Sequence, residues 1–460
     1  MKTHADEARL TQEDLVVSRL GRCNHRSPLK LSTRSGDFVP DYKPDEARVL
    51  VDVDLIGEES PSDLAFAAAG AREMNYFDPD LVHAGIVTCG GLCPGINNVV
   101  RSMVLQLWFK YGVRAITGFR FGFEGLVPGV GLEPRRLDPD AVRDIHKAGG
   151  SVLGLSRGAQ SPDAMVDALA ARGVNVLFAI GGDGTQRGAH AIAQAAQRKG
   201  LELAVVGVPK TVDNDVAFVD KTFGFDTAVE LARDAIDCAH TEARGARSGI
   251  GIVKLMGRDA GFIAAAASMA SHDVNYCLVP EVPFCMEGEH GLLASIESRL
   301  ALRDHAVIVV AEGCASSVVN PRGAERDASG NVRYAAGGSD VGPWLRDQIV
   351  SYLKSRGVSP TVKYIDPSYM IRSVRANASD AIFCDSLARH AVHAAMAGYT
   401  DVLVGRWHRH FTMVPLRVAT GRSRRIDPDG AMWLQVLETT GQPLLLPPRE
   451  APVTAARSAW

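Results

Sequence analysis

The sequence lacks several features that mark whole classes of protein. Its 460 residues carry a net charge of only −3, which argues against nucleic acid or an anionic membrane surface as the main partner. No apolar run approaches membrane-spanning length, and the charged first residues lack the apolar core of a secretory signal. We therefore expect a cytoplasmic enzyme that acts on small molecules.

Paired cysteines are also lacking. The eight cysteines are scattered along the chain, and only Cys89 and Cys93 lie close together. No second pair stands at the spacing of a zinc ribbon. Reduced thiols are the expectation, with a metal site at Cys89 and Cys93 as a minor alternative.

The chain is too long for one core, which predicts two large lobes with extensions. Short apolar segments typical of strands alternate with segments whose apolar residues have helical spacing, and this alternation occurs in two successive groups along the chain. This pattern predicts an α/β fold of two doubly wound, Rossmann-like domains with the active site in the cleft between them. We place an N-terminal extension in 1–80, the first domain in 81–224 completed by 373–410, the second in 225–372, and a peripheral C-terminal tail in 411–460. Residues 363–373 are expected to be irregular.

The stretch Ala179–Thr185 (Ala-Ile-Gly-Gly-Asp-Gly-Thr) carries the strongest functional signal. A β-rich apolar segment precedes it, and an alanine-rich helical pattern follows it. A strand that ends in glycines and opens a helix presents backbone N–H groups to an anion. A carboxylate beside phosphates needs a bridging cation, so Asp183 is a candidate Mg²⁺ ligand. The alternative is a glycine turn in which Asp183 caps the helix.

Two further loops fit the same chemistry. Cys89–Gly95 is a glycine loop between a short strand and an amphipathic helix, which makes a second phosphate cradle. Arg157 lies in the glycine-rich stretch 149–158, where its rigid fork suits a phosphate clamp. A solvated surface arginine is the alternative there.

The segment Pro209–Asp215 (Pro-Lys-Thr-Val-Asp-Asn-Asp) follows the next apolar strand. It sets two carboxylates beside a hydroxyl and a lysine, at the strand end where α/β enzymes place their chemistry. A lone Asp-Asn-Asp is usually a turn. One β/α unit after a candidate nucleotide site, it favours a general base at Asp213.

These motifs, in content and in order, resemble the 6-phosphofructokinases over about residues 84–405. The Gly-Gly-Asp-Gly-Thr motif alone is less specific, because diacylglycerol kinases and NAD kinases share it. The resemblance therefore rests on several independent motifs in one order: the first glycine loop, 153–157, 181–185, 209–215, 256–258, 280–281 and 369–372.

The resemblance implies transfer of the ATP γ-phosphoryl group to the 1-hydroxyl of fructose 6-phosphate, with 81–224 as the ATP-binding domain and 225–372 as the sugar-phosphate domain. Asp213 would be the general base, and Arg258 with Thr211 would stabilise the transferring group. ATP would be held by Gly90, Arg157, Gly158, Gly182, Asp183, Gly184 and Thr185, with Asp183 serving Mg²⁺. The sugar phosphate would contact Thr211, Val212, Asp213, Met256, Gly257, Arg258, Glu281, Lys363, Tyr369 and Arg372.

Two departures from the family pattern are visible. Gly249 stands where members supply an arginine from a neighbouring subunit to the sugar phosphate, and Tyr369 stands where many bacterial members have histidine. Family members are usually homodimers or homotetramers, so the resemblance also implies self-association.

Donor choice depends on two positions. Pyrophosphate users carry Asp at the position of Gly184 and Lys at that of Lys210, so this chain is mixed. An Asp would fill the place of the ATP α-phosphate, whereas glycine leaves it open. We therefore expect ATP, with a pyrophosphate-dependent enzyme as the nearest alternative. A lipid or NAD kinase and a silent nucleotide sensor are more distant ones.

Overall fold

The computed structural model describes residues 10–53, 63–127, 130–315, 325–326, 332–333 and 340–445. They form two compact units. The first falls within Met1–Leu231, Ala324–Arg333 and Tyr369–Arg424, and the second within Ala232–Gly323, Tyr334–Ser368 and Arg425–Trp460. Parts of the predicted extension (1–9 and 54–62) and of the predicted tail (446–460) lie outside the described residues.

The strands of the described residues are, in chain order, β1 Ser18–Arg19, β2 His25–Arg26, β3 Arg48–Leu50, β4 Ala65–Ala68, β5 Met74–Asn75, β6 His83–Thr88, β7 Ala115–Phe119, β8 Arg135–Arg136, β9 Val176–Gly181, β10 Ala204–Pro209, β11 Gly249–Leu255, β12 Tyr276–Leu278, β13 His305–Ala311, β14 Glu325–Arg326, β15 Val332–Arg333, β16 Thr361–Ile365, β17 Tyr399–Thr400, β18 Val402–Trp407 and β19 His410–Pro415.

The α-helices are α1 Ile96–Leu105, α2 Pro162–Ala171, α3 Asp183–Arg198, α4 Phe225–Arg244, α5 Phe262–Ser271, α6 Leu292–Arg303, α7 Val341–Ser355, α8 Ser368–Arg372, α9 Ala378–Met396, α10 Leu416–Ala419 and α11 Ala431–Thr440. A π-helical turn, Gln106–Tyr111, continues α1. No helix in the described part of the chain is both long enough and apolar enough to cross a membrane.

The first unit is built on a nine-stranded sheet with the order β3-β4-β19-β18-β10-β9-β6-β7-β8. Its centre, β18-β10-β9-β6-β7, is parallel. All of β9 and β10 is buried, as expected for strands covered on both faces. The outer strands β3, β4 and β19 pair antiparallel. Segments expected as an extension and a tail therefore contribute strands to this sheet.

The second unit contains a four-stranded sheet, β12-β13-β11-β16, in which every pair is parallel. The helix α11, from the predicted tail, packs on α5 in this unit. Residues 363–373 are more regular than expected, since β16 and α8 occupy most of them. Two units with parallel sheets and helices agree with the predicted Rossmann-like α/β class.

Helix α3 shows how the fold aims the first candidate site. Its alanine-rich stripe buries Ala189, Ile192 and Ala196 against the unit, which fixes the helix along the sheet. The helix begins at Asp183, two residues after β9 ends. Its N-terminal N–H groups therefore lie at the carboxyl edge of the sheet, where open α/β folds bind ligands.

Candidate active site

The turn from β9 into α3 leaves no room for a side chain at Gly181. A Cβ atom added at Gly181 would stand 2.1 Å from Oγ1 of Thr185. Gly182 occupies the cap position, and its carbonyl accepts the first helical bonds, from the N–H groups of Thr185 and Gln186. The backbone N–H groups before those bonds belong to the first turn, which is the part of a helix that suits an anion.

Asp183 and Gly184 have open surroundings. A Cβ atom at Gly184 would have Nη2 of Arg187 as its nearest neighbour, at 3.9 Å. Asp183 pairs with Arg187 one turn along α3, and both side chains are about half exposed. Burial raises the pKa of Asp183, and the Arg187 charge opposes this shift. Arg187 is not among the residues predicted from the sequence, although the i,i+4 spacing is a signal for such a pair.

Lys210 connects the two predicted phosphate cradles. Its Nζ donates to the carbonyl of Gly91 at 2.7 Å, and its own N–H donates to Gly181 at 3.0 Å. The side chain is only 5% exposed, and burial lowers its pKa. A Cβ atom at Gly90, where φ is +86°, would stand 3.3 Å from this Nζ. Lys210 therefore joins the loop after β6, through its ammonium group, to the end of β9, through its backbone N–H.

Arg157 and Gly158 belong to a third loop, which contacts the loop after β6. A Cβ atom at Gly91 would be 3.3 Å from Nη2 of Arg157. The preceding residue, Ser156, accepts a 2.9 Å hydrogen bond from the N–H of Gly90. Gly158 has a φ of +115°, in the region that favours glycine. Seven residues predicted to hold the donor thus come from three loops that contact one another.

The loop after β10 carries the predicted base. Because β10 pairs with β9 in parallel register, with Pro209 opposite Gly181, this loop leaves the sheet beside the donor cradle. Val212 is buried, whereas Thr211 and Asp213 are half-buried. The N–H of Asp213 donates to Oγ1 of Thr211 at 3.1 Å. The arrangement holds a carboxylate next to the first unit's glycine loops.

In the second unit, the loop Met256–Arg258 follows β11. Gly257 has a φ of +124°, and its carbonyl accepts the N–H of Gly313 at 3.0 Å. A Cβ atom at Gly313 would be 1.9 Å from the carbonyl oxygen of Arg258, so only glycine fits there. Glu312, directly after β13, therefore lies beside this loop. Glu312 is not among the site residues predicted from the sequence, although it directly follows a buried strand.

Glu281 has backbone partners. Its carboxylate accepts the N–H of Gly261, the cap of α5, at 3.0 and 3.1 Å to its two oxygens. Oε1 also accepts the N–H of Ile426 at 2.9 Å. A carboxylate at a helix N-terminus is stabilising. These contacts give Glu281 a place in the fold of the second unit.

The remaining predicted residues are divided between the units. Lys363 is exposed on β16 of the second unit. Tyr369 and Arg372 lie on α8 in the first unit, with the guanidinium 4.9 Å from the ring centre. Tyr369 is three-quarters exposed. A Cβ atom at Gly249 would stand 2.0 Å from the carbonyl oxygen of Ala243, so no arginine fits that position.

Comparison with known proteins gives the family. A family model described as phosphofructokinase matches residues 83–395. The chain is 47% identical to the ATP-dependent 6-phosphofructokinase of Amycolatopsis methanolica, over 94% of this chain and 95% of that protein. It is 45% identical to the ATP-dependent 6-phosphofructokinase of Borreliella burgdorferi, over 94% and 97% of the two proteins.

A solved structure supports the fold. The pyrophosphate-dependent phosphofructokinase of Marinobacter aquaeolei aligns with a TM-score of 0.63 at 20% identity, over 80% of this chain and 94% of that chain. At this identity the likeness concerns the fold alone, and it confirms the predicted α/β class. The family model covers more than half of the sequence and the relatives match nearly all of it, which confirms the predicted family: the chain belongs to the phosphofructokinases.

Proposed function

We propose that the chain transfers the γ-phosphoryl group of ATP to the 1-hydroxyl of fructose 6-phosphate, giving fructose 1,6-bisphosphate and ADP. The names of the relatives, both ATP-dependent and 45–47% identical, support this activity. The observation that carries the choice of donor is the open space at Gly184, where a Cβ atom would have no neighbour closer than 3.9 Å. A nucleotide α-phosphate needs that space.

Lys210 is compatible with ATP in this arrangement. Its Nζ is committed to the carbonyl of Gly91 and lies against Gly90. A buried cation beside a glycine loop stabilises any polyphosphate, so Lys210 does not by itself select pyrophosphate. The alternative, a pyrophosphate-dependent enzyme, is therefore a possible outcome of the assay below and is not our conclusion.

The proposed reaction moves one proton, to Asp213, and one phosphoryl group, to the 1-hydroxyl of the sugar. Asp213 accepts the proton of the 1-hydroxyl as that oxygen attacks the γ-phosphorus. The bond from the γ-phosphorus to the β–γ bridging oxygen breaks, and ADP leaves with the electron pair. Arg258 and Thr211 stabilise the charge on the transferring group. Positioning and electrostatics supply most of the catalysis in such transfers.

The donor site fits a hard divalent cation. Asp183 offers one half-exposed carboxylate at the first position of α3, and no group of three His, Cys, Asp or Glu residues in the described ranges could hold a metal alone. Mg²⁺ is often held by one or two carboxylates together with substrate phosphates. We propose Asp183 as that carboxylate; when bound, Mg²⁺ would neutralise phosphate charge.

We propose two further groups of contacts on the acceptor side. Met256 and Gly257 orient the sugar, and Lys363, Tyr369 and Arg372 bind its 6-phosphate. For the sugar hydroxyls two carboxylates compete. The resemblance implies Glu281, whereas the contact of Gly313 with the Gly257 carbonyl favours its neighbour Glu312. Self-association as a homodimer or homotetramer and a cytoplasmic location also remain part of this proposal.

The test is a coupled assay of purified protein with fructose 6-phosphate and Mg²⁺, in which ATP and pyrophosphate are offered in parallel. We expect turnover with ATP and none with pyrophosphate. Turnover with pyrophosphate alone would overturn the argument from Gly184. Binding of both substrates without turnover would point to the nucleotide sensor.

A further inference from the structure

A short stretch near the end of the first unit contacts the loop that carries the candidate base. Ser423 forms an antiparallel bridge with Val216, and the N–H of Arg424 donates to the carbonyl of Asp215 at 2.8 Å. This stretch lies outside the part of the chain that the family model matches, which ends at residue 395. It belongs to residues 411–460, for which the sequence predicts a peripheral tail.

The guanidinium of Arg424 reaches further into the same loop. Its Nη1 donates to the carbonyl of Asp220 at 3.1 Å and lies 3.5 Å from the carbonyl oxygen of Asn214. Burial lowers the pKa of Arg424, and the negative charge of Asp220 opposes that shift. Arg424 therefore contacts the backbone immediately after Asp213 as well as the return of the loop toward α4.

The backbone at Asn214 requires such support. Asn214 has a φ of +56°, in the left-handed region that residues other than glycine adopt only occasionally. Its side chain bridges the loop, because Oδ1 accepts the N–H of Thr222 at 2.9 Å. Oγ1 of Thr222 in turn donates to the carbonyl of Thr211 at 2.7 Å. A strained residue directly after the base is held by contacts from several directions.

The far end of this support is fixed to the sheet. The carboxylate of Asp220 accepts hydrogen bonds from Nε of Arg406 at 2.9 Å and from the N–H of Arg409 at 3.2 Å. Its own N–H donates to the carbonyl of Arg406 at 2.8 Å. Arg406 belongs to β18, a central strand of the sheet. Arg424 thus connects the loop after Asp213 to a residue anchored on a rigid element.

We propose that Arg424 is a positioning residue for catalysis: it holds the loop Thr211–Asp215 so that the carboxylate of Asp213 stays in place for proton transfer. This inference rests on the proposed role of Asp213. The contacts of Arg424 with the backbone carbonyls of Asn214 and Asp220 are the route by which it acts on the reaction. Its removal therefore affects the rate of the chemical step more than the binding of either substrate.

The test compares Arg424→Met and Arg424→Lys with wild type in the full chain. Arg425→Met is the matched control, since Arg425 is the next residue and is exposed. We expect Arg424→Met to lower kcat about 10- to 100-fold per active site, as small misplacements do. Both KM values should stay within about twofold, and Arg424→Lys, which keeps a cationic donor, should recover part of kcat.

Active sites are counted by calorimetric titration with ADP, so a loss of folded protein is separated from a loss of rate. An unchanged kcat per active site would overturn the proposal, as would a raised KM with kcat intact. If Arg424→Met does not fold, Arg424→Gln, which is too short to span both carbonyls, takes its place, and an unchanged kcat per active site in that variant overturns the proposal. Failure of the wild type to phosphorylate fructose 6-phosphate would instead contradict the proposed function.

Discussion

The two units present their candidate residues in different ways. In the first unit, the predicted donor contacts combine glycine backbone with a few charged side chains, and Gly90 and Gly91 lie close to Lys210 and Arg157. In the second unit, side chains dominate, and one of them, Glu281, is bound to backbone N–H groups of its own unit. The donor site of the first unit depends on closely packed glycine loops, whereas the sugar contacts of the second unit depend on the orientation of side chains.

This difference follows from the chemistry of the two substrates. Phosphate oxygens are bound well by backbone N–H groups at a helix start, which requires that nothing protrude between them. Sugar hydroxyls need side-chain acceptors and donors of defined direction. Added atoms should therefore damage the first unit, whereas swaps that keep side-chain size but change charge should damage the second.

The largest expected effect comes from the residue that links the two substrates chemically. Asp213→Ala removes the proposed base, so kcat should fall by about 10²–10⁴-fold, the range for general acid–base catalysis. Binding of both substrates should persist, because the N–H of residue 213 can still donate to Oγ1 of Thr211. Steady-state kinetics and calorimetry measure the two quantities. A mutant with full kcat would remove Asp213 from this role.

The next effect tests the exclusion of side chains in the first unit. Gly184→Asp should weaken ATP binding by at least about 100-fold, because like charges placed together cost several kcal/mol. The protein should fold normally, since the space at Gly184 is open. Gly184→Ala is the control, because it adds the Cβ atom without the charge. Equal losses in both variants would show that volume, not charge, decides the donor.

A smaller effect distinguishes the two carboxylates of the second unit. We expect Glu312→Gln to raise the KM for fructose 6-phosphate about tenfold, which corresponds to one lost charge-assisted hydrogen bond. Glu281→Gln keeps its size and loses charge at the start of α5, so it should lower Tm and leave KM nearly unchanged. The reverse pattern would return the sugar contact to Glu281, as the resemblance implies.

The sequence predicts the glycine loops of the first unit better than the side-chain contacts of the second unit. The cradle after β9 could be predicted from its glycine-rich motif between a strand and a helix, and Gly181 is required there because an added Cβ atom would stand 2.1 Å from Oγ1 of Thr185. Glu281 and Glu312 both follow buried strands, and only the backbone partners of Glu281 and the contact at Gly313 separate them. The contact of Arg424 with the Asn214 loop could not be predicted from the sequence, since the two residues lie about two hundred positions apart.

The smallest effect concerns the helices behind the donor loops. His393 on α9 contacts the hydroxyl of Tyr111, at the end of the π-helical turn after α1, at 2.7 Å. Burial lowers the pKa of His393 from 6.5 to about 3, so the folded protein keeps this ring neutral. Below pH 6.5 the unfolded chain binds a proton at His393 and the folded chain does not. The contribution of His393 to the free energy of unfolding is therefore full above that pH and is lost as the pH falls toward 3.

We expect Tm to fall on acidification by less in His393→Gln, which cannot titrate, than in wild type. Activity at neutral pH should be the same in both proteins. Parallel Tm curves would mean that groups other than His393 cause the acid sensitivity.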